Sequence, residues 1–303
     1  MIAITGATGF VGSYIVDKLL SPQKRLTRRT KTENTSQLDV EWVRGDYRQI
    51  ESLESFIENT PTLIHLACQS NPRSSNLNME QDIINNLVPT IKLFEAYARA
   101  NPGGHIVFCS TGGNMYEASA PDVVAKEENL PHPRSSYGIH KLAIENYLRL
   151  FCEMYEIRGT VLRVSNPYGV LLSKERAQGV IGVVLAKLLA NESITIVDSL
   201  ESVRDYIHLD DVAKAFNLTI QRPPKRGECQ VFNVCSGTGY SLAELFDLIE
   251  SITGRSLIKE FSSSPLPSPT WSLLSYQKIE QILNWTPQID LEQGIQKMWE
   301  SLR

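Results

Sequence analysis

Residues 2–12 read IAITGATGFVG: an apolar run, then three glycines at spacings of three, then the start of a helical pattern. A buried strand that turns at once into a helix, through residues without side chains, fits the first step of a parallel α/β sheet. Each glycine has its own task there. Gly6 permits a tight turn, Gly9 lets the backbone approach a pyrophosphate, and Gly12 lets the helix pack closely on the strand. Phe10 and Val11 open the helix, whose N-terminus offers N–H groups and a partial positive charge to phosphate oxygens. A strand before and a helix after favour dinucleotide binding over a glycine turn that binds nothing.

The rhythm continues along the chain. Apolar runs at Ile2–Thr5, Glu41–Val43, Leu63–Leu66, Ile106–Ser110 and Thr160–Val164 read as buried strands. Helical patterns at Val11–Leu20, Glu51–Asn59, Gln81–Ala100 and Tyr137–Tyr155 lie between them. Continuous apolar strands alternating with helices predict a doubly wound, Rossmann-type parallel sheet covered on both faces. After Asn166 the alternation loosens into a helix at Gly179–Ala190, short strands (ITIV, VRDYIH, VFNVCS) and a helix at Leu242–Thr253. The expected division is an NAD(P)-binding region over 1–165 and a smaller substrate-binding region over 166–303, with some strands returning to the first.

Composition narrows the function classes. A net charge of −4 over 303 residues gives no footprint for nucleic acid. No apolar run reaches the length of a membrane span. Met1 leads straight into a strand, which leaves no room for a leader peptide. The five cysteines, Cys68, Cys109, Cys152, Cys229 and Cys235, are scattered without a CxxC pair. They read as reduced, mostly buried thiols of a cytoplasmic protein. No metal-ligand spacing occurs.

Tyr137 and Lys141 form Tyr-x-x-x-Lys on a predicted helix and share one face. A phenol ordinarily titrates near ~10 and is a poor base at neutral pH. A nearby ammonium and a cationic ring would both favour its phenolate, which makes the pair an acid/base device. Upstream, Ser110 and Thr111 close an apolar strand, and a hydroxyl at the carboxyl end of a parallel strand points into the crevice where ligands of such folds bind. His65 and His208 fall inside strand-like runs and read as core residues. His140 falls within the motif but is expected on a different helix face from Tyr137. Cys109 is expected to be an inert buried thiol.

The glycine turn, the Ser110–Thr111 strand end and Tyr-x-x-x-Lys, in this order, resemble the extended short-chain dehydrogenase/reductase family, and within it the UDP-glucose 4-epimerase-like group. The resemblance extends through Asp46-Tyr47, Leu66-Ala67-Cys68, RVSNPYG (Arg163–Gly169), RDYIH (Arg204–His208) and VFNVCSGTGYSL. It implies NAD as cofactor, with Asp46 and Tyr47 beside the adenine. Leu66, Ala67, Cys68, Ser110, Tyr137, Lys141 and Pro167 would then line the rest of its site. It implies a nucleotide-sugar substrate met by Thr111, Asn166, Arg204 and Tyr206, with Arg204 on the diphosphate, as suits its planar fork. Thr111, Tyr137 and Lys141 would be catalytic. The implied reaction is 4-epimerisation by transient oxidation at C4. A 4,6-dehydratase needs acid/base groups where Gly112 and Gly113 stand. An NADPH-dependent reductase of a 4-keto-6-deoxy sugar nucleotide remains an alternative, as does a non-catalytic dinucleotide-binding member. Ile83, Ile84, Leu87, Ile91 and Phe94, with Leu142, Ile144, Leu148 and Phe151, are expected to form a homodimer face.

The chain also departs from the pattern. A short second strand falls in SPQKRLTRRTK after Leu20, with Leu26 its one clear aliphatic, and at its end stand Arg28 and Arg29, where NAD-preferring members carry an acid; they read equally as a 2′-phosphate site for NADP or as solvated surface. Glu117 and Asp198 replace usual glycines, and SSSPLPSPTW lacks the Arg-x-x-Asp that clamps UDP.

Overall fold

In a computed structural model, residues 1–27, 40–49, 53–116, 123–171, 179–197, 199–262 and 271–302 are described. Arg28, Arg29, Glu117, Asp198 and most of SSSPLPSPTW lie outside them.

Six strands come from the first half: β1 (Ile2–Thr5), β2 (Gln23–Thr27), β3 (Val40–Arg44), β4 (Thr62–His65), β5 (His105–Thr111) and β6 (Arg158–Val164). The second half adds β7 (Asn166–Tyr168), β8 (Ile194–Ile196), β9 (Val203–His208), β10 (Cys229–Val234), β11 (Gly239–Ser241), β12 (Lys259–Phe261) and β13 (Trp271–Ser272). β1–β6 and β10 form one seven-stranded sheet in the order β10-β6-β5-β4-β1-β2-β3, with every pairing parallel. The order reverses between β1 and β4. A doubly wound sheet opens a crevice at such a switch point, outside the carboxyl ends of its strands. The expected Rossmann architecture is therefore observed.

Side chains alternate between the two faces of each strand. Ile4, Val107, Leu162 and Phe232 join one core with Ile15, Val212, Phe216 and Trp285. Ala3, Phe108 and Val161 join another with Phe94, Ile144, Leu148 and Phe151. A third core lies in the second half, among Ile181, Leu185, Tyr206, Phe246 and Trp299. There β9 is flanked by β11, β13 and β7, and β8 pairs with β12.

The helices differ from expectation at informative places. The first, α1, covers only Gly12–Ile15 and tightens into a 3₁₀ turn at Val16–Lys18. Leu19 is already extended, and Gln23 and Arg25 donate side-chain hydrogen bonds to the Val16 carbonyl, which also accepts from the Leu19 N–H. Of the Glu51–Asn59 pattern only α2 (Glu54–Ile57) is helical within the described residues; Glu58 turns extended at its end, and Asn59 follows at φ 56°. A short α3 (Pro72–Ser75) follows. The Gln81–Ala100 pattern is three pieces: α4 (Met79–Asp82), a π turn at Ile83–Leu87, and α5 (Val88–Ala100). Pro89 lacks an N–H and crowds the carbonyl four residues back, and the wider turn relieves that conflict. The next helix, α6, runs unbroken over Ser136–Tyr155. It is followed by α7 (Val180–Ala190), α8 (Leu209–Gln221) and α9 (Leu242–Thr253).

Candidate active site

A cavity of about 470 Å³ opens at the switch point. Gly6, Gly9, Phe10, Val11, Gly12, Asp46, Tyr47, Leu66, Ala67, Cys68, Tyr137, Lys141 and Pro167 all line it. A second cavity, about 630 Å³, adjoins it and is lined by Asn166, Arg204 and Tyr206 among apolar side chains such as Val184, Ile196 and Phe246. Phe10, Asn71 and Pro167 line both, so the two share a wall or mouth. Ser110 and Thr111, though placed by sequence beside the cofactor and substrate, line neither cavity. Ser110 turns the other way: its hydroxyl donates to Glu145 at 2.5 Å. Thr111 is buried at the carboxyl end of β5.

The glycine turn is shaped by close approach. Gly6 has φ +76°, and a Cβ there would stand 2.5 Å from the Ala67 nitrogen. A Cβ on Gly12 would stand 2.1 Å from the Gly6 oxygen. The first and third glycines thus let three segments meet, and Gly9 closes the turn by donating its N–H to the Gly6 carbonyl at 2.9 Å. This leaves a cradle of bare backbone facing the cavity, which suits a diphosphate.

Asp46 and Tyr47 follow β3. The Asp46 carboxylate is gripped by Arg48 at 2.7 Å, and the Tyr47 hydroxyl donates to the Asn85 carbonyl at 3.0 Å. Both residues are held in place on the cavity wall rather than swinging freely.

Tyr137 sits in the first turn of α6. Ser135 caps that helix by accepting from the Gly138 N–H at 3.1 Å. The Tyr137 N–H donates to Ser75, and the Ser136 N–H to Asn76, so α3 and the residue after it pin the helix start. One turn on, the Lys141 ammonium donates to the Cys109 carbonyl at 2.8 Å and lies 5.6 Å from the Tyr137 ring centroid. The protein alone does not favour a phenolate. Burial, then the nearby Cys68, Cys109 and Asp82, hold the Tyr137 phenol well above its usual range. Desolvation leads those causes, and a cation placed in the cavity would act against it.

Sequence reasoning missed the support for this pair. Glu145 continues the Tyr137–Lys141 face at the same four-residue spacing. It accepts from Arg163 at 2.7 Å, both side chains being almost wholly buried. Arg163 also donates to the Tyr116 hydroxyl, which donates to Asn233. The network ties α6 to β5, β6 and β10. His140 was misplaced: its ring meets that of Tyr137 edge-on at 5.3 Å, because residues three apart on a helix are neighbours. His65 is buried between Thr5 and Thr90, as expected of a core residue. His208 is equally buried. Burial pushes the Cys109 thiol up to about 11, in keeping with an inert group.

At the second cavity, Arg204 and Tyr206 share one face of β9 and Asp205 takes the other. Asp205 accepts from Ser165, from the Ser236 N–H and hydroxyl, and from the Gly237 N–H, all within 3.0 Å. Burial pushes its carboxyl up to about 6 despite those donors. The Asn166 amide donates to the Asp205 carbonyl at 2.7 Å, which locks β7 beside β9. Among the described residues, no group of three or more His, Cys, Asp or Glu could hold a metal ion.

A glycine-cradled cavity at a Rossmann switch point, with Tyr and Lys one helical turn apart at its wall, defines a dinucleotide-binding enzyme of the short-chain dehydrogenase/reductase type. The sequence profile of the NAD dependent epimerase/dehydratase family matches residues 2–235, and the chain belongs to that family. It is 31% identical to a putative UDP-glucose 4-epimerase of Methanocaldococcus jannaschii, with 98% of this chain and 97% of that one covered. It is 29% identical to the dTDP-4-dehydro-6-deoxyglucose reductase of Escherichia coli, over 100% of this chain and 97% of that one. Among solved structures it resembles the UDP-glucose 4-epimerase of Thermotoga maritima with UDP-glucose, at a TM-score of 0.89 and 28% identity, covering 99% and 98%.

Proposed function

We propose that the protein is an NAD-dependent 4-epimerase of UDP-hexoses, residues 1–165 holding the cofactor and 166–303 the substrate. The observation that carries this reading is the juncture of the two cavities: Tyr137 and Lys141 line one, Asn166 and Arg204 the other, and Pro167 and Phe10 line both. The 4-epimerase relatives at 28–31% identity over nearly the whole chain support it.

The residues fit a dinucleotide. The Gly6–Gly12 cradle would take the diphosphate, Asp46 and Tyr47 the adenosine end, and Tyr137 and Lys141 the nicotinamide end. NAD, when bound, supplies a hydride acceptor and, with its cationic ring, the charge that favours the phenolate. Tyr137 takes the proton from the sugar 4-hydroxyl and returns it. Lys141, anchored on the Cys109 carbonyl, holds the ribose and tunes the phenol. Thr111, buried at the carboxyl end of β5 two residues beyond Cys109, would orient the reacting oxygen, although it lines neither cavity. Arg204 pairs with the substrate diphosphate, and Asn166, braced by Asp205, meets the sugar end. A dehydratase fits poorly: Gly112 and Gly113 stand where it needs acid/base groups, and neither can move a proton. The reductase relative favours a second reading, an NADPH-dependent 4-keto-sugar reductase.

We further take the chain to be a cytoplasmic homodimer. All five cysteines are free, and no helix among the described residues is long and apolar enough to cross a membrane. The expected dimer face needs revision, since Phe94, Ile144, Leu148 and Phe151 are buried against the sheet. Ile83, Ile84 and Val88 beside Ile139, Tyr147, Leu150 and Met154 are the exposed apolar residues of these helices. A monomer mass by light scattering at micromolar protein overturns the dimer.

The test of function is to purify the protein without added cofactor, denature it and identify the released nucleotide by mass spectrometry. Resident NAD, followed by interconversion of UDP-glucose and UDP-galactose, is the expected result. NADPH consumption with a 4-keto sugar nucleotide, and no epimerisation, overturns it in favour of the reductase.

A further inference from the structure

The proposed reaction leaves one set of groups at the cofactor cavity idle. Cys68 lines that cavity together with Tyr137, Lys141 and Cys109. Its Sγ lies 3.8 Å from His140 Nε2. On the far side of the imidazole, His140 Nδ1 stands 2.8 Å from Asp82 Oδ2, with both side chains almost wholly buried. Asp82 also accepts from Ser70 at 2.5 Å, Ser136 at 2.7 Å and Asn86 at 2.9 Å. Surrounded by donors, it acts as an ionised acceptor. Burial would raise its carboxyl, but the hydrogen bonds from Ser70, His140 and Ser136 hold it below the usual range. That fixes a hydrogen on Nδ1 and turns Nε2 toward the sulfur, while the Tyr137 ring packs edge-on against the imidazole. Thiol, imidazole and carboxylate thus stand in the order of nucleophile, base and orienter.

We propose that Cys68 is a covalent modification site, a thiol activated by His140 and oriented through Asp82. It would take hydroperoxides and soft carbon electrophiles that enter the cavity, and its modification and cofactor occupancy would exclude each other. With a hydroperoxide, His140 takes the thiol proton and the sulfur attacks the distal peroxide oxygen. The S–O bond forms as the O–O bond breaks, and the leaving oxygen takes the proton from His140. Sulfur is oxidised to the sulfenic acid and the peroxide reduced to alcohol or water. With an α-haloamide, the S–C bond forms, halide leaves, and His140 passes the proton to solvent.

The surroundings agree. Burial would push the Cys68 thiol up, but the Lys141 ammonium and His140 bring it down to about 7. The other groups facing this cluster are Tyr137, from the same helix as His140, Cys109 on β5, and Ser70, whose carbonyl accepts from the Cys68 thiol at 3.4 Å and whose hydroxyl lies 3.9 Å from the sulfur. Burial pushes Cys235 well above the ordinary thiol range, and Cys109 is raised as well. One thiol of the five is thus both activated and open to a cavity.

The test is iodoacetamide labelling of nucleotide-free protein, prepared with charcoal and shown to be folded by circular dichroism, with peptide mapping across pH 5.5–9.5. Cys68 is expected to react first, with a rate midpoint near 7, against ~8.5 for an ordinary thiol. His140→Gln should slow labelling at pH 7 about tenfold and move the midpoint upward. Hydrogen peroxide followed by dimedone should mark the same residue. A wild-type midpoint at 8.5 or above, or faster labelling of another cysteine, overturns the proposal even if the variant fails to fold. The exclusion clause rests on the cofactor reading above. Saturating NAD should suppress labelling more than tenfold, and undiminished NAD affinity of the alkylated protein overturns that clause. Fast Cys68 labelling in a protein that binds no NAD overturns the cofactor reading and still upholds the activated thiol.

Discussion

The Lys141 ammonium donates to the backbone carbonyl of Cys109 at 2.8 Å, joining the second turn of α6 to the carboxyl end of β5. The bond holds the helix against the strand and, in the proposed mechanism, positions Tyr137 for the sugar. Lys141→Met keeps the stem and removes the charge and the donor. Its kcat should fall about 10²-fold with weaker NAD binding, read by steady-state kinetics and calorimetry. Tyr137→Phe should lower kcat and kcat/KM together by about 10²–10⁴-fold, the usual span for a lost acid/base group. Full turnover in Tyr137→Phe removes the phenol from the mechanism.

Arg163 and Glu145 form a buried pair, and neither can be removed alone without stranding the other. Glu145→Leu should cost about 3–5 kcal/mol of unfolding free energy, as for other buried pairs broken on one side. A shift in denaturation midpoint equal to that of a surface substitution contradicts this account.

Gly6 holds a positive φ with backbone packed where a Cβ would go. Gly6→Ala should abolish NAD binding in any protein that still folds, while Gly254→Ala, where the same conformation meets open space, should leave NAD binding intact. Binding titrations of the two variants make the comparison.

Asp82 titrates below its unfolded value of about 3.9. The stability it contributes is therefore full above that pH and is lost as pH falls through the lowered folded value. Between pH 5 and 3 the wild type should lose more thermal stability than Asp82→Asn, so the two curves converge on acidification. Parallel curves contradict the assignment.

Arg204 offers a planar fork at the second cavity. Arg204→Lys keeps the charge and loses the paired geometry. It should raise KM for a UDP-hexose about tenfold with little change in kcat, whereas equal effects on both constants would point to a role in the chemical step.

Most of the sheet was legible in the sequence because β1, β3, β4, β5 and β6 carry apolar runs between helical patterns, and because Gly6, Gly9 and Gly12 mark the first turn; β2, with only Leu26 as an aliphatic, was marked less plainly, and which strand returns from the second half as β10 was not marked. The Tyr137–Lys141 spacing was equally readable. Helix breaks were harder. Pro89 announces one, but that a π turn would absorb it depends on packing, not on the residue alone. The serine at position 110 looked like a site residue from its place at a strand end, yet its side chain answers to Glu145, thirty-five residues away in sequence. Pairings such as Cys68 with His140, or Asp82 with Ser136, carry no local signature, since only the fold brings them together. The mixed fate of the α5 and α6 apolar residues has the same root: period alone does not say which stripe meets the sheet.

β10 is the last strand of the central sheet, and it arrives late. Residues 229–234 pair with β6 only after the chain has travelled out through β7, α7, β8, β9 and α8. During synthesis from the N-terminus, β6 must wait as an open edge, seven residues long and almost entirely buried in the finished protein. A fragment ending near residue 165 would carry that exposed edge permanently and be prone to stick to its own kind. The two regions are therefore not separable pieces: gene truncation or domain grafting at the apparent boundary would cut a sheet rather than a linker.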